Sequence, residues 1–166
     1  MFNLKHKDYN SKYPKFFSNE KKVLESVLNT DVEIIHIGST SISGLGGKDI
    51  IDIMVVSGDN NLNLIKTKLL NLDYDHNLNL SFGDREFFSK DSEKNYDKIR
   101  IHLHVTFKNS ADHKKAVLFK NYLSNNKKLA LEYQDFKKRA IEEAQGDYSK
   151  YRQIKNKYID KILKSI

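Results

Sequence analysis

The sequence predicts a mixed α/β (α+β) fold, with a small sheet flanked by helices and a helical C-terminal third. Three patterns carry this expectation. The run Val32-Glu33-Ile34-Ile35-His36-Ile37 is rich in β-branched residues and stops at Gly38, as a strand does. Residues 99–107 alternate, with Ile101, Leu103, Val105 and Phe107 on one face and Arg100, His102, His104 and Thr106 on the other. Beyond residue 109 the apolar spacing turns wholly helical.

In chain order, Phe16, Phe17, Val23, Leu24, Val27 and Leu28 recur at near-helical spacing and predict a helix over 15–28, just after the only proline, Pro14. The strand over 32–37 follows. Residues 38–47 hold four of the chain's seven glycines and read as a loop or short turn. The stretch from Asp49 to Val56 reads as a second, largely buried strand, and 62–70 as a short helix. Two further strands are expected around 85–90 and 99–107. Asn109-Ser110-Ala111-Asp112 then offers several N-cap candidates. Three helices follow, marked by Ala116, Phe119 and Leu123, by Leu129, Tyr133, Phe136 and Ala140 with a stop at Gly146, and by Tyr151, Ile154, Tyr158 and Ile162. With 166 residues and no repeat or low-complexity linker, a single domain over 1–166 is expected.

Composition narrows the function classes. No apolar run approaches the roughly 18–20 residues of a membrane span. The start, Met1-Phe2-Asn3-Leu4-Lys5-His6-Lys7, has neither the apolar core nor the small-residue cleavage site of a signal peptide. Cysteine is absent, so disulfides, thiolate nucleophiles and thiolate-bound metals are excluded. A cytoplasmic location is the expectation. Net charge is +7, and from Lys108 onward 15 Lys/Arg face 7 Asp/Glu, whereas the first 107 residues carry 14 against 15. The basic excess reads either as solvated lysine faces on the last helices or as a positive wall for an anionic substrate, a nucleotide or a nucleic acid.

The chemistry concentrates between His36 and Asp52. A glycine directly after a strand lets the backbone approach a bound group, and amides turned outward there form an anion-binding concavity. Gly38 and Ser39 begin that turn, and Thr40, Ser41 and Ser43 add hydroxyls. Asp52, on the next strand, is placed to hold a divalent cation against a phosphate.

The run His36-Ile37-Gly38-Ser39-Thr40-Ser41-Ile42-Ser43-Gly44-Leu45-Gly46-Gly47-Lys48-Asp49-Ile50-Ile51-Asp52-Ile53 resembles the signature of the GrpB family. Three further blocks resemble it too: Arg85-Glu86-Phe87-Phe88-Ser89-Lys90, Arg100-Ile101-His102-Leu103-His104-Val105 and Phe119-Lys120-Asn121-Tyr122-Leu123, with Tyr151 and Lys155 or Lys157 at the basic, aromatic end. The resemblance covers nearly the whole chain. It implies a nucleotidyltransferase-like fold of a bacterial kind that also occurs joined to dephospho-CoA kinase. It comes with a departure: active nucleotidyltransferases usually carry two alternating acidic residues on the strand after Gly-Ser and a third on a later strand. Here Met54 stands at the alternate position after Asp52, and the later strand offers His102 and His104. Asp49, three residues before Asp52, falls on the opposite face of a strand.

If His36, His102 and His104 meet Asp52, they can bind one transition metal; with Asp52 as the main ligand, Mg²⁺ or Mn²⁺ is the expected ion. His102 or His104 can alternatively serve as a general base. Lys48, Arg85, Lys90 and Arg100 are candidate phosphate ligands beside Gly38, Ser39 and Thr40. The functional expectation is a cleft for a nucleotide or other phosphorylated small molecule, with metal-dependent nucleotidyl transfer through Asp52. The alternatives are a non-catalytic module for a nucleotide or CoA-like ligand and, with no recognition motif behind it, an RNA-binding protein.

Overall fold

The computed structural model describes residues 4–28, 31–58, 62–94 and 97–165, so Met1, Phe2 and Asn3 of the N-terminal reading lie outside the described residues. Helix α1 (Tyr13–Val27) opens with Pro14 in its first turn, where a missing N–H costs nothing. Strand β1 (Val32–Ile37) leads through a 3₁₀ turn at Ser39–Ser41 to β2 (Ile50–Ser57). Helix α2 (Leu62–Leu70), the short β3 (Asp75–His76), a second 3₁₀ turn (Leu78–Leu80), β4 (Glu86–Lys94) and β5 (Asp97–Phe107) follow. The chain ends in α3 (Ala111–Asn125), α4 (Lys127–Ala144) and α5 (Tyr148–Leu163). Among the described residues, no helix is long and apolar enough to cross a membrane.

The five strands form one mixed sheet in the order β1-β2-β5-β4-β3, in which only β2 and β5 run parallel. Its two faces serve different purposes. Ile34, Ile51, Ile53, Val55, Ile101, Leu103, Val105 and Phe88 meet Tyr13 and Leu24 of α1, Leu28 just after it, and Ile65 and Leu69 of α2 in the principal core. The residues between them in sequence, including Asp52, Met54, His102 and His104, point to the side covered by α3, α4 and α5. The alternation expected over 99–107 is therefore observed, with the aliphatic half in the core and the histidines opposite.

The C-terminal helices are capped by side chains that satisfy orphaned amides. Ser110 accepts from His113 N–H, Asn126 from Leu129 N–H and Asp147 from Lys150 N–H. Two successive left-handed residues, Gln145 and Gly146, turn the chain between α4 and α5. Two local expectations are corrected and one strand is additional. The β4–β5 hairpin extends to Lys94 and Asp97, beyond the limits expected from apolar content, because Asp91 and Ser92 continue the ladder through their backbones. Asp49 precedes β2 rather than starting it: its φ of 61° is left-handed, and its carboxylate accepts from Tyr13 Oη (2.8 Å) and Lys7 Nζ (2.7 Å). The two-residue β3 is too short to give a periodic signal.

Leu103 is fully buried in the middle of the principal core. Leu103→Ala is expected to cost about 2–5 kcal/mol of stability, read as a lower urea midpoint with an unchanged slope.

Candidate functional site

Asp52 lies on the face of β2 that looks away from the principal core. Parallel pairing sets it directly opposite His102, and His104 follows two residues along β5. His102 Nδ1 and His104 Nε2 each stand 3.5 Å from Asp52 Oδ1. Burial alone would raise the Asp52 pKa, but these two imidazoles outweigh it and hold the carboxyl well below its usual range. Burial pushes His104 down, against the partial compensation of Asp52. The Phe87 ring packs edge-on against both imidazoles, with centroids 4.9 and 5.2 Å away.

Gly38 meets the other side of this carboxylate. With φ 70° and ψ −175° it adopts a conformation open essentially only to glycine, and a Cβ there would lie 2.6 Å from Asp52 Oδ2. Ser39 follows at the cleft wall, packed so closely on Gly47 that a Cβ at Gly47 would lie 2.6 Å from Ser39 Oγ. The glycine loop is pinned from outside: Gln134 accepts from Gly46 N–H (2.7 Å), and Lys137 Nζ donates to Gly46 C=O (2.5 Å). On the other flank Lys7 and Gly47 exchange backbone hydrogen bonds.

Above Asp52, the helices enclose a cavity of about 290 Å³. Ile37, Met54, Phe87, Phe119, Leu123 and Tyr133 form its apolar side, while Lys48, Arg85, Lys115, Lys120, Arg152 and Lys155 form its basic side. Lys48 Nζ lies 4.7 and 4.5 Å from the ring centroids of Tyr148 and Tyr151. Burial, then the neighbouring Lys155, lowers its pKa to about 7. Lys155 is also lowered, again chiefly by burial. Arg85 stacks on Phe82 at 4.2 Å and pairs with Asp112 at 3.3 Å, while Lys115 pairs with Asp160 at 2.5 Å.

The expected site residues divide between the two faces of the sheet. Gly38, Ser39, Lys48, Asp52, Arg85, His102 and His104 share the cavity. His36 does not: it pairs with Ile53 and so projects into the opposite face, stacked on Phe17 and 3.1 Å from Thr40 Oγ1. Burial lowers its pKa to about 4, as suits a neutral core imidazole. Thr40 is likewise buried there, donating to Ile50 C=O. Lys90 pairs with Ile101 on the core-side face and is held by Glu20 at 2.9 Å, over the Tyr74 ring. Arg100 has the right face but sits at its lower end, bound to Asp91 at 2.9 Å and to Ser89. Lys115, Lys120 and Arg152 had only the C-terminal charge excess as a signal, and lysines spread along all three helices mask which ones turn inward.

Residues 4–165 match the family described as GrpB protein. The chain belongs to the GrpB family. It is 29% identical over 161 residues to the glutamate-rich protein GrpB of Alkalihalophilus pseudofirmus, covering 93% of this chain and 91% of that one. The crystal structure of GrpB from Enterococcus faecalis superposes with a TM-score of 0.75 at 22% identity, covering 96% and 99% of the two chains. Cid1, described as an RNA terminal uridylyl transferase, superposes with a TM-score of 0.54 at 17% identity over 83% of this chain and 42% of its own. The fold of this GrpB family member is thus nucleotidyltransferase-like.

That fold implies divalent metal, and the residues present do not fit it. A hard cation needs several oxygen ligands. The cleft floor supplies Asp52, but Met54 fills the next position on that face of β2 and is 2% exposed, while β5 supplies imidazoles. The set of three histidines and one carboxylate is not assembled, because His36 lies across the sheet. Among the described residues, no group of three or more His, Asp or Glu side chains has the spacing to hold a metal ion.

Two outcomes follow from this geometry. Gly38→Ala must strain the backbone and displace Asp52, and is expected to cost about 1–3 kcal/mol in urea unfolding. Asp52→Asn removes the charge that supports protonated His104, so the His104 titration followed by ring NMR should move to still lower pH.

Proposed function

We propose that this chain, acting as one domain, binds a nucleotide or another phosphorylated small molecule in the cleft above Asp52. The observation that carries this reading is the convergence of basic side chains from α3, α5, the residue before β4 and the glycine loop onto one cavity floored by Gly38 and Asp52. Phosphate would lie against Lys48, Arg85, Arg152 and Lys155, with the amides of the 38–40 turn at its edge. The less polar part of the ligand would lie against Met54, Phe87, Phe119 and Tyr133.

The site favours ligand binding over metal-dependent nucleotidyl transfer. Transfer needs charge neutralised at the attacked phosphorus by metals that carboxylates position, and only Asp52 stands where three carboxylates are expected. Asp52 is instead engaged with His102 and His104. Metal-dependent turnover that is abolished by Asp52→Asn would reverse this preference. The basic helices also suit nucleic acid, for which affinity would fall steeply with salt.

Calorimetric titration of ATP and of coenzyme A tests the reading. At least one is expected to bind, and Lys48→Met should weaken it about tenfold, the loss of roughly one charge-assisted hydrogen bond. Absence of heat and of any thermal stabilisation with both ligands would exclude it. Because the Lys48 pKa is lowered to about 7, an anionic ligand should bind the protonated amine and raise that pKa. Affinity is therefore expected to be full below about pH 7 and to decline above it. The decline should be shallower in Lys48→Met, where Lys155, also lowered, is left to titrate.

A further inference from the structure

We propose that the cleft recognises a polyphosphate group directly, without a divalent cation, using the protein's own lysine and arginine side chains where related folds use metal ions. This rests on the reading of the cleft as a phosphate site and specifies how the phosphate is held.

The charge arrangement carries the inference. Arg85 and Lys115 are balanced by Asp112 and Asp160. Lys48, Lys120, Arg152 and Lys155 line the same cavity, and among the described residues none of their side chains makes an ion pair or hydrogen bond. The floor carboxylate, Asp52, is engaged by two imidazoles rather than by any of these four groups. With all four protonated, four basic groups against one carboxylate leave an excess of three positive charges around a cavity of about 290 Å³, and an anion that raises the lowered lysine pKa values favours that state.

A metal-dependent site has the reverse arrangement. There the protein contributes carboxylates, the ions contribute positive charge, and the phosphate meets the ions. Here the protein itself contributes the positive charge and lacks the oxygen ligands. A free divalent cation entering this cavity is repelled by the wall and finds only Asp52 not already held by a lysine or arginine, because Asp112 and Asp160 are paired.

Like charges this close also raise the free energy of the empty fold. Lys48 lies near Lys155 and Arg152, and Lys155 near Arg152 and Arg85, so each disfavours the other's charge. The tyrosine faces over Lys48 relieve this only partly. A multiply charged anion removes the conflict. Because each added phosphate charge meets a further unpaired cation, affinity should rise from mono- to di- to triphosphate.

The test is calorimetry on the full chain with AMP, ADP, ATP and inorganic tripolyphosphate, each in EDTA and in excess Mg²⁺. The expected result is tightest binding by the triphosphates in EDTA, with equal or weaker binding in Mg²⁺, because the ion masks the charge that the wall reads. Lys155→Met, which keeps the apolar stem, should weaken ATP in EDTA about tenfold. Lys120→Met provides an independent variant if Lys155→Met does not fold. ATP binding that appears only with Mg²⁺, or tightens about tenfold or more on its addition, overturns direct recognition while leaving the phosphate-cleft reading intact. Binding of tripolyphosphate without ATP keeps direct recognition and removes the nucleotide from the proposed function. Failure of all four ligands in both media, with no thermal stabilisation, overturns both.

Discussion

The contact between Asp52 and Gly38 constrains the rest of the cleft. Asp52 stands on the second strand of the sheet, between the glycine turn that leaves β1 and the histidine face of β5. Its carboxylate can stay there only because residue 38 has no side chain: any Cβ would overlap Oδ2 at 2.6 Å. The same glycine supplies the positive φ that turns the chain toward Ser39. One residue therefore makes room for the carboxylate and aims the loop. The parallel β2–β5 register then brings His102 and His104 to that carboxylate without help from any loop.

The helical third completes the site from the other side. Helix α4 grips both polar groups of Gly46, through Gln134 and Lys137, so the glycine loop and the C-terminal helices hold one another. Lys137 is 3% exposed and donates to the loop backbone, which separates it from the cations that face the cavity. Phe119, Tyr133, Phe136 and Tyr158 pack as an aromatic layer under the loop, with Phe136 and Tyr158 stacked at 3.8 Å. This layer fixes which lysines turn inward. Arg152 and Lys155 of α5 project to the cavity, whereas Lys157, two residues on, is exposed.

Much of the fold was legible because its strands carry strong periodic signals. The alternation over 99–107 separated core aliphatics from cleft histidines, and the glycine after β1 marked the turn beside Asp52. The failures at His36 and Lys90 share one cause, the two-residue parity of a strand. His36 and Gly38 are neighbours in the motif, yet His36 faces the same side as Ile53, and the imidazole is spent on Phe17 and Thr40. Lys90 likewise lies in the block that matched the family, but parity sends it to Glu20 on α1. A motif collects both faces of a strand into one string of letters, whereas a site uses one.

By itself, then, the sequence determined the helices and every strand but the two-residue β3, the need for glycine at residue 38, the alternation that puts His102 and His104 on one face, and the departure at Met54 beyond Asp52. Each is a local property, set by side-chain period or backbone conformational preference. Only the tertiary structure decided which histidines and which basic residues belong to the cleft, and that Lys48, Lys120, Arg152 and Lys155 surround a cavity without an ion-pair partner among the described residues. These depend on strand register and helix rotation, which bring together groups as much as 107 residues apart (155 − 48). No local pattern encodes that distance; it is set when the helices pack across the face of the sheet.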